Sequence, residues 1–247
     1  MTRLFMEDQE AGSGSFSLGQ DDSRYISQVL RMREGEQLTI VLKDGIEALC
    51  EVSSINKNEV TVKILSTKTI ASEPPVNITL YQCVSKGERM ELTIQKCVEL
   101  GVTKIVPVFS SRCVVRPDEP KKQKSKTERW QKIALEAARQ SGRGIIPEVT
   151  EPVLFAKAVE QAKGADVFLF PWEEEHGTTL RQELTKFNRE ELKEIAVFIG
   201  PEGGFDESEA DLARKYDAAT VTIGKRILRT ETAGAAVLAM ILYEFEL

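Results

Sequence analysis

The 247 residues carry 33 Lys and Arg against 39 Asp and Glu, a net charge of −6, with 41% hydrophobic and 29% charged residues. This balance excludes a disordered chain and a protein that simply coats nucleic acid. No stretch reaches the roughly 20 apolar residues needed to cross a bilayer. The segment Met1 to Asp8 has no apolar signal core, so a cytoplasmic protein with no membrane partner is expected. Cys50, Cys83, Cys97 and Cys113 form no C-x-x-C pair, and His176 is the one histidine. No metal site is therefore expected, and the cysteines read as small, reduced, mostly buried residues.

Residues 1–73 read as β structure. A short helix over 25–33 precedes strands at 37–42, 46–52 and 60–65, each rich in β-branched residues. Lys43-Asp44-Gly45 and Asn56-Lys57-Asn58 supply turn chemistry between them. Several strands with so little helix suggest a small barrel. The run Ala71-Ser72-Glu73-Pro74-Pro75 then breaks the pattern as a linker, which divides the chain into domains 1–73 and 74–247.

Beyond the linker, strands are expected at 76–84, 103–109, 165–170, 195–200 and 219–223. They alternate with helices at 88–100, 125–141, 154–163, 206–215 and 230–243. Continuous apolar strands alternating with helices indicate an α/β domain, a mainly parallel sheet with helices on both faces. Charge is uneven along it: the segment from Arg112 to Arg143 holds ten Lys or Arg and four Asp or Glu. Such a segment is either a phosphate footprint or a solvated helix face. Within the 88–100 helix, Glu91, Gln95 and Glu99 share one face, with Lys96 beside them. Met90, Ile94, Cys97 and Val98 form the core stripe opposite.

Two strand-end loops draw the functional argument. The strand 195–199 runs into Gly200-Pro201-Glu202-Gly203-Gly204-Phe205, and Asp206 with Glu209 reads as a capping box opening the next helix. The strand 219–223 runs into Gly224-Lys225-Arg226-Ile227-Leu228-Arg229-Thr230-Glu231-Thr232-Ala233. Ligands of open α/β sheets bind at the carboxyl ends of strands, and glycines there admit a ligand close to the backbone. Either loop alone could be a plain turn, and its Arg and Glu a structural ion pair. No G-x-G-x-x-G follows the first strand of this domain, which weakens the case for a dinucleotide or an ordinary Rossmann cofactor site. The helix after the second loop is apolar around nearly its whole circumference, so it must be buried in its own core or against a partner chain.

These motifs closely resemble the RsmE family, 16S rRNA uridine N3-methyltransferases of the SPOUT superfamily. The resemblance is carried by 86–101, from Lys86-Gly87-Glu88-Arg89 to Leu100-Gly101, by 130–134 and by 136–143. Ile199 to Gly204, Gly224 to Ala233, and Val29-Leu30-Arg31-Met32 in the small domain complete it. Many relatives carry a His shortly before this last stretch, where Tyr25-Ile26-Ser27 stands here. The resemblance implies a PUA-like β-barrel, then a SPOUT domain with a trefoil knot, and a homodimer. It implies S-adenosyl-L-methionine as methyl donor, and as partner 16S rRNA or the assembled small ribosomal subunit.

On that resemblance the cofactor would lie among Leu169, Phe170 and Pro171, among Ile199, Gly200, Glu202, Gly203 and Gly204, and among Ile223, Gly224, Ile227, Leu228, Arg229, Thr232 and Ala233. Gly200, Gly203, Gly204, Gly224, Ala233 and Gly234 would supply the small side chains that a threaded chain needs. Uridine N3 carries a proton, so the site must help remove it or stabilise the uracil anion. Arginine stays protonated and cannot be the base, but it can donate to the uracil oxygens. Arg229 is the first choice for that role and Arg112 the second. Glu231 or Glu202 would take the proton or orient an arginine; the alternative is that the proton goes to water once the anion is stabilised. Arg3, Arg24, Arg31, Arg33, Lys86, Arg139, Gln140 and Arg143 are the RNA candidates. Trp130 either stacks on a base or anchors a helix core, and His176 reads as part of a solvated loop.

Overall fold

A computed structural model of the chain describes residues 2–6, 8–12, 14–56, 59–117, 119–188 and 190–246. It forms two compact units, one of residues 1–73 with 138–146, the other of 74–137 with 147–247. The last turn of a long helix and the turn after it thus belong to the first unit.

The first unit is a five-stranded sheet in the order β1-β3-β4-β5-β2. Its strands are β1 (Arg3–Phe5), β2 (Ser15–Ser17), β3 (Gln37–Leu42), β4 (Ile46–Asn56) and β5 (Glu59–Thr69). β1 pairs parallel to β3 and the other neighbours are antiparallel. Register shifts at Leu49/Cys50 and Val52/Ser54 mark bulges, which bend the long β4–β5 ribbon. Leu4, Leu38, Ile40, Ala48, Cys50 and Val62 share one buried cluster. The β3–β4 turn falls at Lys43–Gly45 as expected, with Asp44 and Gly45 at φ 58° and 69°. Of the second expected turn, Lys57 and Asn58 lie outside the described residues. The short strands β1 and β2 carry too few residues for a period to show in sequence. The expected helix begins earlier, as α1 (Gln20–Arg24) continuing through a wider turn over Tyr25–Val29. It cannot reach residue 33, because Arg31 takes φ 55°, outside the helical region. Ser23 fastens this segment, donating to Leu18 O at 3.1 Å and accepting from Val60 N at 3.0 Å.

The second unit is a wholly parallel sheet in the order β12-β10-β11-β6-β7-β8, with β9 also on β7. The strands are β6 (Asn77–Cys83), β7 (Lys104–Phe109), β8 (Glu148–Val149), β9 (Val153–Leu154), β10 (Val167–Pro171), β11 (Glu194–Ile199) and β12 (Ala219–Val221). The helices are α2 (Arg89–Glu99), α3 (Pro120–Ser141), α4 (Phe155–Ala162), α5 (Leu180–Leu184), α6 (Glu207–Arg214) and α7 (Thr230–Phe245). Every expected strand and helix of this half is present. α3 starts five residues earlier than expected, with Pro120 as its first residue, where a missing N–H costs nothing. Alternate strand residues face opposite sides. Tyr81, Phe168, Phe170 and Phe198 join Phe155 of α4 and Ala210 of α6 in one buried cluster, with Tyr81 stacked on Phe198 at 4.4 Å. α2 packs against α7, which also meets β11. Trp130 is 6% exposed, so it anchors α3 in the core and is not offered to a base. All four cysteines are buried and unpaired. Among the described residues no helix is long and apolar enough to cross a membrane.

Candidate functional site

Strands β12, β10 and β11 are neighbours, so their carboxyl ends bring three loops together. The loops enclose a cavity of about 310 Å³. Pro171 lines it from β10; Ile199, Gly200 and Gly204 line it from the loop after β11. Ile223, Gly224, Ile227, Leu228 and Ala233 close it from the segment between β12 and α7. Leu169 and Phe170 are fully buried in β10 and lie behind this surface. Glu202, Gly203, Arg229 and Thr232 stand around the cavity without lining it. At Gly224 a Cβ would meet nothing within 4 Å, so its need for glycine comes from φ +136° and not from a crowded crossing.

The walls are tied through buried polar groups. Thr230 Oγ1 donates to Gly200 O at 2.6 Å and accepts from Gln82 Nε2 at 2.8 Å. Gln82 is wholly buried, and its Nε2 also donates to Cys83 O at 3.2 Å. One side chain of β6 thereby holds the first turn of α7 against the end of β11. The capping box expected at Asp206 and Glu209 is present, and Glu209 Oε1 also accepts from Ser111 N at 2.8 Å. Gly204 sits at φ +67°, and a Cβ there would meet the Glu173 carboxylate, so any larger residue would displace it.

The cations divide sharply. Lys225, Arg226 and Arg229 are exposed, with no side-chain hydrogen bond or ion pair among the described residues. Arg112 is engaged instead: Nη2 donates to Asp206 Oδ2 at 3.0 Å and Nη1 to Gly203 O at 3.3 Å. Glu202 Oε1 accepts from Arg89 Nη1 at 2.7 Å and from the Lys86 backbone N–H at 3.1 Å. Arg89 Nε lies 3.8 Å from Glu231 Oε1. Burial acts to raise the Glu202 carboxyl, but backbone N–H donors and Arg89 outweigh it and hold the group below its ordinary range.

The RNA candidates divide in the same way. In the first unit Arg24, Arg31 and Arg33 are exposed, with no side-chain partner among the described residues. Gln140 in that unit and Lys86 in the second are exposed too. Arg143 is 2% exposed: its Nε and Nη2 donate to Glu73 Oε2 at 3.0 and 2.7 Å, and Glu73 Oε1 also accepts from Gly144 N at 2.6 Å. Arg3 pairs with Glu47 and donates to Arg143 O at 3.1 Å. Arg139 lies over the Tyr25 ring at 4.6 Å and pairs with Asp22 at 3.7 Å. These three arginines hold the first unit together, a structural role their sequence context did not reveal. On α2, Glu91 pairs with Arg129 and Lys96 with Glu99, while Gln95 is exposed, so that face is a solvated, ion-paired one.

The loops expected at 169–172 and 223–233 bring Trp172, Lys225 and Arg226 to the cavity, while sequence reasoning passed over Glu173 and Thr222; His176 is exposed as expected but stands on the cavity. The strand-end rule, carried one residue further past β10, would have found Glu173. Arg89 follows the end of β6 and the same rule reaches it.

A family model described as "RNA methyltransferase domain" matches residues 72–242, and one described as "RNA methyltransferase PUA domain" matches 18–65. Together they define the class, an RNA methyltransferase domain of SPOUT type joined to a PUA-like domain. The chain belongs to the ribosomal RNA small subunit methyltransferase E family. It is 34% identical to the enzyme of that name from Bacillus subtilis over 255 aligned positions, covering 100% of this chain and 98% of the relative. The enzyme of that name from Neisseria gonorrhoeae, solved bound to S-adenosylmethionine, superposes with a TM-score of 0.84 at 32% identity, covering 98% of this chain and 97% of that one. A putative methyltransferase from Legionella pneumophila, in complex with the same cofactor, gives 0.86 at 33% identity, with the same coverage.

Proposed function

We propose that this chain transfers a methyl group from S-adenosyl-L-methionine to N3 of a decoding-region uridine in 16S rRNA. The observation that carries the reading is the three-loop cavity with an unpaired arginine, Arg229, beside it. The cavity suits the cofactor on its own terms. Trp172 lines it and its indole Nε1 is buried without a hydrogen-bond partner, a donor left for a bound molecule. Gly204 keeps one wall low where a side chain would intrude. Walls built largely from backbone can recognise an adenosine without a Rossmann fingerprint.

When bound, the cofactor would supply a methyl group on a sulfonium, whose leaving group departs as a neutral thioether. The remaining work falls to the protein. Arg229 donates to the uracil oxygens as N3 loses its proton, concentrating positive charge where negative charge develops. Arg112 is held by Asp206 and serves the shape of the loop. Arg24, Arg31 and Arg33 of the PUA-like module, residues 1–73, grip RNA phosphates, and within the second unit Lys86 and the exposed Lys121, Lys122 and Lys124 of α3 offer further positive charge. The trefoil knot that the resemblance implies would be built from the three loops at 169–172, 199–204 and 223–233. A homodimer is supported by the outer side of α7, where Met240 and Tyr243 are 42% and 72% exposed. The substrate places the protein in the cytoplasm, on free rRNA or the assembled small subunit.

Calorimetry with S-adenosylmethionine, followed by Trp172 fluorescence, tests the cofactor. Mass spectrometry of rRNA nucleosides from a deletion strain tests the target. Loss of 3-methyluridine from the decoding region, restored by the gene, is expected. Its persistence would refute the assignment, and no cofactor binding would leave an RNA-binding assembly factor.

A further inference from the structure

We propose that Arg89 is a positioning residue of the methyl-transfer site, holding the Glu202 carboxylate as its hydrogen-bond acceptor and the Glu231 carboxylate as its ion-pair partner, so that neither takes the uridine proton. This rests on the reading above. Arg89 opens α2, just past the end of β6, and does not line the cavity. Three segments meet at its guanidinium. Nη1 donates to Glu202 Oε1 at 2.7 Å, in the loop after β11. Nε stands 3.8 Å from Glu231 Oε1, in the first turn of α7. The turn ahead of α2 joins them, because Lys86 N–H donates to the same Glu202 oxygen at 3.1 Å.

A guanidinium suits this post, since its fixed fork can meet two carboxylates at once while an ammonium is a single point charge. Glu231 is two residues after Arg229, which caps α7. Fixing Glu231 therefore fixes the turn that carries Arg229. A general base must exchange its proton near the working pH, which for a carboxylate requires a raised value. Glu202 is held the other way, by backbone N–H groups and Arg89 that outweigh burial. With both carboxylates committed, the N3 proton leaves to solvent once Arg229 has stabilised the uracil anion. The N–H bond breaks with its electron pair kept on nitrogen and the proton goes to water; that pair forms the new N–CH₃ bond as the methyl's bond to the donor sulfonium breaks, its pair staying on sulfur in a neutral thioether.

The test compares wild type with Arg89→Met, Arg89→Lys, Glu202→Gln and Glu231→Gln. Single-turnover methylation of small-subunit rRNA is measured at saturating and at limiting RNA, with cofactor affinity by calorimetry. Arg89→Met should lower the rate at saturation about 100-fold, the cost of a displaced catalytic group. RNA half-saturation and cofactor affinity should stay within about threefold, and Arg89→Lys should recover part of the rate. Each Gln variant should stay within about tenfold of wild type, since loss of a true general base costs 10²–10⁴-fold. A wild-type rate in Arg89→Met overturns the proposal. So does a loss of about 100-fold or more in either Gln variant, which decides the matter even if Arg89→Met does not fold. A wild-type protein that binds no cofactor, or binds it and methylates no rRNA, instead overturns the functional reading, and Arg89's role with it.

Discussion

Three arginines of the first unit, Arg3, Arg139 and Arg143, and two of the cavity loop, Arg226 and Arg229, are the same residue in opposite settings. Arg143 is buried and Arg3 half-buried beside carboxylates, and Arg139 rests on an aromatic ring beside Asp22. Arg226 and Arg229 are exposed with no side-chain partner among the described residues. An arginine's function is set by whether folding brings an acceptor to it. A paired, buried guanidinium is a structural element, while an unpaired one next to a cavity has its donors left over for a bound molecule.

The contrast breaks most visibly at its extremes. Arg143→Ala strands Glu73 without its ion pair and should destabilise the fold by about 3 kcal/mol, read by denaturant unfolding. A loss under about 1 kcal/mol would mean the pair is ordinary surface electrostatics. Arg229→Ala should do the reverse. Methylation should fall about 100- to 1,000-fold, the cost of removing one donor to a developing anion, with unfolding midpoints unchanged. Wild-type turnover in that variant would remove Arg229 from the chemistry. Arg31→Ala and Arg33→Ala sharpen the division within the first unit. Each should reduce the slope of log affinity against log salt by about one, whereas an unchanged slope would place that residue off the phosphate path.

The smallest effect is a pH dependence. The Glu202 carboxyl is held below its ordinary value of 4.5, so its contacts stabilise the fold above that pH. The stabilisation is lost as pH falls through the lower folded value. Glu202→Gln should flatten this acid limb by no more than about 0.5 kcal/mol, because the group is largely solvent-screened. An acid limb identical to wild type would show that the contacts add nothing to stability.

Legibility in the sequence followed the range of the interaction. The strands and helices of the second unit could be read because each is a local run, buried on both faces or on one stripe. The Asp206 and Glu209 capping box spans four residues and was equally plain. The strand-end rule located the loop after β11 and the segment leading into α7. It could not separate Arg229 from Arg143, since Glu73 lies 70 residues from Arg143 in sequence. Arg112 and Asp206 are likewise 94 residues apart, so nothing local foretold that Arg112 is occupied. Gln82 escaped notice because a single polar residue in an apolar strand has no partner until Thr230 arrives.

The central claim is tested most directly by incubating the purified protein with small ribosomal subunits from a deletion strain and methyl-labelled S-adenosylmethionine, then digesting the rRNA to nucleosides. Label is expected in 3-methyluridine alone, one per 16S molecule, mapped to the decoding region and abolished by Arg229→Ala. Label in any other nucleoside, or none from a protein that binds the cofactor, would contradict it.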